Sequence, residues 1–465
     1  MVFPVMKIVF INPPNAPPTS SALLIEPIDT LSLATYVRSL GHDVSFLDMD
    51  ARRLTPVDLT PRLAGAGFDA AVIIFDHHIP LYTDEALSGV LAAAASAAAA
   101  GLKVVVGGKA ATYEPERFVY PGSPVTVAAR RELEPVLRDL FALPDWTAKG
   151  LRTIRGVAFL DGGLVQTTPP PAGLFDLDAQ PVADRRLAAA GGYIDVRSVL
   201  TSRGCPNRCR FCHVPGYWGR WRGMSPQRVL DELEQLTAAG AKKIIFLDDN
   251  ATADPARMRA IADGIRERGL NAAFGCLGSV NVFDGPTFEL MAEAGFRWVH
   301  FGAETGDAAL LRRINKNIGP DQVARTIDAV RDLGLRVRTS WILDLPGADA
   351  ASFDRSLELM LRTGPEEIRL HFLALRYGSE YFGAYREKIG AAPQYVHGSR
   401  PQLALSTLGR AGLEAKTKEV IDALAGAGYL IVTDPEVFAD LERRYAGRTP
   451  PKIAALCPIR YGLFW

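Results

Sequence analysis

From Thr201 to Cys212 the chain reads Thr-Ser-Arg-Gly-Cys-Pro-Asn-Arg-Cys-Arg-Phe-Cys, and three of its five cysteines, Cys205, Cys209 and Cys212, fall in this stretch. Nothing else in the sequence restricts the fold as much. The C-x3-C-x2-C spacing follows a β-like run, Val196 to Leu200. A short loop of this kind can aim three thiolates at one iron-sulfur cube, since thiolates are the ligands such clusters take. No fourth cysteine lies in register, so one iron is left without a protein ligand, and an open metal position is where a substrate or cosubstrate binds. Two other readings fit the same residues. His213 beside Cys212 could complete a structural zinc site. A disulfide would leave one thiol over in a chain with no secretory signature.

With Phe211 as the aromatic, C-x3-C-x-aromatic-C resembles the radical S-adenosylmethionine (SAM) superfamily. The resemblance implies a 4Fe-4S cluster on Cys205, Cys209 and Cys212, whose unique iron chelates the amino and carboxylate groups of SAM. It says little about the substrate.

A chain of 465 residues can hold about three domains. Lys plus Arg and Asp plus Glu both number 52, so no net basic field is available for nucleic acid or an anionic membrane. The longest apolar run, Leu87 to Leu102, is mostly alanine and falls short of the ~20 residues of a membrane span; it reads as a helix packed on a sheet. Met1 to Phe10 lacks a basic region followed by a sustained apolar core. Few cysteines and an oxidation-sensitive motif predict a cytoplasmic location.

Before the motif, residues 1–145 alternate strand-like runs (Lys7–Ile11, Asp43–Leu47, Ala70–Phe75, Lys103–Val106, Val125–Val127) with helical patterns. This predicts a doubly wound, Rossmann-like α/β sheet. Its ligand would sit beyond the strand ends, near Asn12-Pro13-Pro14, Asp76-His77-His78 and Gly107-Gly108. These segments, with Leu40-Gly41-His42-Asp43-Val44 and Leu47-Asp48, resemble the cobalamin-binding domain that precedes the radical SAM domain in one large subfamily. That resemblance makes cobalamin the ligand, its corrin approached closely by the glycine pair. The D-x-H-x-x-G signature of other cobalamin proteins is absent, as is usual in this subfamily; Asp76-His77-His78 lies after the third strand and lacks the glycine. The subfamily's Gly-Glu-Gly-Glu turn is replaced by Ala128-Ala129-Arg130-Arg131-Glu132.

Residues 146–190 read as a linker, with Pro169-Pro170-Pro171 a stiff extended stretch and Gly162-Gly163 a hairpin inside it. Residues 191–386 read as six β/α units, a (β/α)6 partial TIM barrel with its site at the carboxyl-terminal face. By resemblance, Asp248, Asp249 and Asn250 end the second strand where SAM's amino group binds, Glu304 ends the fourth near the ribose, and Leu345 lies in the adenine-side turn. The Glu that the family places after Gly347 is Ala348. Arg312, Arg313 and Lys316 read as helix surface. Residues 387–465 read as a small α-rich accessory tail with an amphipathic helix over Lys416–Ala427 and an apolar end, Cys457 to Trp465, that should dock.

The resemblance implies a cobalamin-dependent C-methyltransferase that acts on an unactivated carbon of a small natural-product precursor, through a 5'-deoxyadenosyl radical and methylcobalamin, with electrons from a flavodoxin or ferredoxin. Two alternatives stay open: radical cyclisation, rearrangement or oxidation without methyl transfer, and an iron-sulfur redox protein without substrate.

Overall fold

The computed structural model describes residues 5–13, 24–75, 84–189, 192–389, 401–434, 437, 440–441, 444–445 and 450–456. The predicted site residues Pro14, Asp76, His77 and His78, and the segment Cys457–Trp465, lie outside them. The chain divides into two units, Met1–Ile194 and Asp195–Trp465.

The first unit is built on β1 (Lys7–Asn12), β2 (Asp43–Asp48), β3 (Ala70–Ile74), β4 (Lys103–Gly107) and β5 (Val127–Ala129), joined by α1 (Ile28–Ser39), α2 (Leu59–Leu63), α3 (Asp84–Ala99) and the short α4 (Lys109–Tyr113). β3 is buried along its whole length, as a parallel strand covered on both faces must be. The alanine-rich run forms α3, whose Ala93, Ala94 and Ala97 are buried, so small side chains let this helix pack closely. After α5 (Leu133–Phe141) and α6 (Ala148–Leu151) come β6 (Val157–Asp161) and β7 (Leu164–Thr167). Strand order is β2-β1-β3-β4-β5-β6-β7. β1 to β5 pair in parallel, and β6 and β7 close the sheet antiparallel. Winding reverses between β1 and β3, and such a switch point opens a crevice at the strand ends.

The stretch read as a linker is therefore part of this unit. Its hairpin joins the sheet through Ala128↔Ala158 and Ala129↔Val157, and the chain beyond it stays fastened there: Gln180 Nε2 donates to the Ser32 carbonyl at 2.8 Å, and Arg38 pairs with Asp184 at 2.6 Å. Extended chain beside a sheet edge pairs with it, which composition alone does not register.

The second unit carries an eight-stranded sheet ordered β16-β17-β15-β14-β13-β12-β11-β8, parallel throughout. Its six sequential strands are β8 (Arg197–Val199), β11 (Lys243–Phe246), β12 (Ala273–Gly278), β13 (Phe296–Glu304), β14 (Arg336–Ile342) and β15 (Glu367–His371). The cysteine loop lies between β9 (Ser202–Arg203) and β10 (Arg222–Gly223), a small antiparallel pair flanking α7 (Val214–Trp218). Helices α8 (Pro226–Ala238), α9 (Pro255–Glu267), α10 (Gly285–Glu293), α11 (Ala308–Arg313), α12 (Pro320–Asp332) and α13 (Ala350–Thr363) fill the crossovers. Proline in the first turn starts α8, α9, α10 and α12, and Ser225, Asp254 and Asp284 cap the first three. After α14 (Glu380–Ile389) and α15 (Gly409–Gly426), β16 (Leu430–Val432) and β17 (Ile453–Ala455) extend the barrel sheet. The tail read as α-rich thus supplies two of the eight strands.

Candidate functional site

Gly204 sets the entry of the cysteine loop. Its φ is +88°, and a Cβ there would meet the Arg220 carbonyl oxygen at 2.7 Å, so only glycine lets the loop leave β9 against this backbone. Asp249 accepts a hydrogen bond from Gly204 N at 3.2 Å. Two clasps hold the far side. Asn207 and Asn281 bond reciprocally at 3.2 and 2.6 Å, and Asn207 also donates to Ser279 Oγ at 2.9 Å. Arg210 N donates to the Ile314 carbonyl at 2.9 Å, and Asn315 Nδ2 to the Arg208 carbonyl at 2.8 Å.

Burial pushes the thiols of Cys205, Cys209 and Cys212 above their ordinary range, Cys209 to about 11. A desolvated thiol gives up its proton to a metal, whose charge replaces that of the proton. Among the described residues no three His, Cys, Asp or Glu side chains gather as ligands of a single ion would; a cube of irons needs its thiolates spread farther apart. Asn250 Nδ2 points at Cys205 Sγ at 3.7 Å, a donor to sulfur of the kind that tunes a cluster. Three soft sulfurs, an amide donor and a nearby cation fit an iron-sulfur cube.

That cation is Lys316, read in the sequence as helix surface. Its Nζ lies 2.5 Å from Glu304 Oε1, and the two side chains are 11% and 9% exposed. Glu304 has φ +66° at a bulge where β13 shifts register against β14. A left-handed glutamate is strained, and such strain clusters at functional sites. Gly302 makes the space, since a Cβ there would sit 2.2 Å from Glu304 Oε1 and 2.6 Å from Lys316 Nζ. The charges of Lys316 and Glu304 both act on Cys209, so the pair borders the cysteine loop. The missed signal was the spacing: only α11 separates Glu304 from Lys316, and a helix that short returns the chain to the strand end it left.

Two of the residues read as SAM-binding are fully buried. Asp248 is fully buried and accepts from Thr201 N (2.9 Å), Thr201 Oγ1 and Ser202 Oγ (2.6 Å), with Arg257 offsetting its charge. It fastens the start of the loop; its neighbour Asp249 is half-buried, and its charge acts on Cys205 and Cys212. Leu345 is fully buried, its carbonyl closing a turn onto Ala348 N at 2.9 Å, so its side chain is core. Phe211 is half-buried in the loop.

In the first unit, Asn12 and Gly107–Gly108 end β1 and β4, and Pro13 is buried. Asn12 Nδ2 donates to Asp48 Oδ1 at 3.0 Å, and Asp48 also accepts from Tyr193 Oη at 2.7 Å, so Asn12 ties two strand ends together. Gly108 has φ +135° and opens α4. A Cβ on Gly107 would meet the end of Leu133 at 2.8 Å, which makes that glycine a packing residue. Where the resembling subfamily has an acidic turn, Arg130 donates to the Thr112 and Thr168 carbonyls, both at 3.2 Å.

The concave wall of the barrel carries a polar group that the sequence reading passed over. His300 Nε2 meets Ser340 Oγ at 2.6 Å; Arg369 Nε donates to Glu367 Oε1 at 2.7 Å; Arg338 Nε lies 2.9 Å from Glu367 Oε2, with its guanidinium stacked 3.7 Å from the Trp298 ring. Alternation along Trp298-Val-His300, Arg338-Thr-Ser340 and Glu367-Ile-Arg369-Leu-His371 was the available signal.

Residues 199–360 match the radical SAM superfamily. An uncharacterized methyltransferase of Pyrococcus horikoshii is 30% identical over 356 residues, 74% of this chain and 75% of that protein. The anaerobic magnesium-protoporphyrin IX monomethyl ester cyclase of Synechocystis is 24% identical over 405 residues, 82% of this chain and 78% of the cyclase. Among solved structures, the radical SAM methyltransferase TsrM of Kitasatospora setae, with cobalamin and a [4Fe-4S] cluster bound, superposes with a TM-score of 0.68 at 19% identity, over 83% of this chain and 79% of TsrM. No helix among the described residues is long and apolar enough to cross a membrane. With the cysteine loop, the parallel barrel sheet and this extent of likeness in hand, the chain belongs to the radical SAM superfamily of enzymes, which work with a 4Fe-4S cluster and SAM.

Proposed function

We propose that the protein is a cobalamin-dependent radical SAM methyltransferase that methylates an unactivated carbon of a small molecule, a natural-product precursor. The observation that carries the reading is the length of its likeness to the Pyrococcus methyltransferase, which takes in three quarters of each chain and so more than the cysteine motif. When bound, the cluster and SAM supply a carbon radical and cobalamin supplies a methyl group. The chain's residues bind and orient. Cys205, Cys209 and Cys212 would hold three irons; Lys316 would face the carboxylate of SAM, Asp249 its ammonium, and Glu304 its ribose. Asn12 and Pro13 lie at the end of β1, at the switch point that would receive the corrin, and Gly108, just past the end of β4, would let the backbone approach a flat ligand. A flavodoxin or ferredoxin would supply electrons.

The likeness to the Synechocystis cyclase, over 82% of this chain, favours a second reading: radical ring closure without methyl transfer. Anaerobic reconstitution with iron, sulfide and hydroxocobalamin, then desalting, tests the cobalamin dependence on which the first reading rests. One cobalt and about four irons per chain, with 5'-deoxyadenosine on reduction in the presence of SAM, is expected. Iron and 5'-deoxyadenosine without cobalt would overturn the cobalamin-dependent reading.

A further inference from the structure

The barrel wall carries two buried arginines, Arg338 and Arg369, on one face of neighbouring strands. Arg338 and Arg369 share one carboxylate, Glu367, in a place where all three side chains are nearly inaccessible: 3%, 6% and 1% exposed. Arg338 Nη2 is buried with no hydrogen-bond partner among the described residues. Pairing in register lays these groups out in tiers. Arg338 stands beside Glu367 and His300, Ser340 beside Arg369 and Gly302, and Ile342 beside His371. His300, Ser340 and His371 are half-buried, so a small molecule can reach them from the concave side. Arg369, Arg338 and Lys316 act electrostatically on His300, and Arg369 and Arg376 on His371. Burial, followed by these cations, keeps both imidazoles neutral at pH 7, so each can accept or donate a hydrogen bond without adding charge. Because Lys316 also acts on Cys209 and Cys212, the wall continues towards the cysteine loop.

Buried guanidiniums in this number are stable next to an anion, and the planar fork of arginine suits an oxyanion. We propose that His300, Ser340, Arg369 and His371 form an anchoring subsite for an oxyanion, a carboxylate or a phosphate, carried by the substrate. Arg338 lies beneath it, stacked on Trp298, and steers the charge from below. The anion would fix the substrate at one end and leave its carbon skeleton directed towards the cysteine loop. That the anion belongs to the substrate rests on the enzymatic reading above; the anion site itself does not.

The test uses cluster-reconstituted protein, saturated with SAM so that Lys316 is occupied, under anaerobic conditions. Sodium phosphate and sodium acetate are titrated against sodium chloride at matched ionic strength, following tryptophan emission and the unfolding midpoint. One oxyanion is expected to saturate at a concentration at least tenfold below any chloride effect. Arg369→Gln is expected to raise that concentration tenfold or more, and His371→Phe several-fold. Preference for phosphate indicates a phosphorylated substrate, and preference for acetate a carboxylate. If Arg369→Gln loses iron or helical signal, His371→Phe, which leaves the Arg369–Glu367 pair intact, carries the comparison. Equal responses to chloride and both oxyanions, or wild-type saturation in the informative variants, would overturn the proposal. Formation of 5'-deoxyadenosine by the wild-type protein is scored separately: its absence with intact oxyanion binding removes the enzymatic reading alone, and its presence without oxyanion binding removes the subsite alone.

Discussion

Replacing Lys316 with methionine keeps the length and most of the apolar stem of the side chain but removes the charge facing Glu304. The pair is 2.5 Å apart and about nine-tenths buried, so the substitution leaves a carboxylate desolvated without its cation. Breaking a buried pair from one side costs about 3–5 kcal/mol, and the residual exposure puts this case near the lower figure. Glu304 cannot readily turn to solvent, because its backbone is held at φ +66° in a bulge. Urea unfolding of the reconstituted protein, at a slope of about 3 kcal/mol per molar, should therefore show a midpoint lower by about 1 M. Adding Glu304→Gln removes the orphaned charge, and the double variant should recover about 1–2 kcal/mol relative to the sum of the singles. If Lys316 also meets the carboxylate of SAM, a charge-assisted bond of about 1.5–3 kcal/mol is lost and SAM binds ~10- to 100-fold more weakly by equilibrium dialysis. A wild-type midpoint with strictly additive singles would refute the buried pair. Unchanged SAM affinity would remove Lys316 from the binding site.

Gly204→Ala forces a Cβ to within 2.7 Å of a backbone carbonyl at φ +88°, so the loop must shift; iron retained after reconstitution and desalting should fall below half of wild type, and full iron content would sink the idea. Asn250→Leu removes the donor to Cys205 Sγ, worth about 1 kcal/mol, or about 40 mV for one electron; a redox titration should find the cluster potential more negative by that order, and an unshifted potential would contradict the contact. Burial holds the Asp344 carboxyl up at about 6 against an ordinary 3.8, so the folded chain binds this proton more tightly than the unfolded one. The favourable contribution is complete below pH ~4 and disappears as pH rises through about 6, amounting to at most about 3 kcal/mol. Asp344→Asn keeps an acceptor for the Leu405 and Ser406 amides and should stabilise the protein at pH 8 but not near pH 4; an equal effect at both would show that burial is not the cause.

The cysteine loop was legible because its chemistry is local: spacing alone decides whether three thiols can meet one cluster. Alternation of strands and helices was legible for a similar reason, since each β/α unit carries its own periodicity, and β1 to β5 fall within a few residues of where the strand-like runs put them. What the sequence hid is set by long-range pairing. Proline-rich composition made residues 146–190 look like a tether, yet a sheet edge at β5 offered unpaired backbone groups, and the Val157–Asp161 strand satisfies them. Nor could a charged residue at a strand end announce which way it faces. Asp248 and Asp249 are neighbours of one chemical type; the chain leaving β11 makes the first a fully buried bracket for Thr201 and Ser202, while the second accepts from Gly204 N and stays half-buried. Lys316 and the tiers of His300, Ser340 and Arg369 extend the same argument. Each is an ordinary polar residue in sequence; Lys316 acquires meaning when the short α11 returns it to Glu304, and the tier residues when parallel register sets them against partners tens of residues away. On the anion subsite proposed above, substrate preference would be set by the alternate positions of β13, β14 and β15, where the chain can change one inward residue without disturbing the outward face that packs on the helices. Exchange of Ser340 for another small polar residue should on this ground alter substrate preference while leaving iron content unchanged, and parallel loss of both would place Ser340 in the core instead.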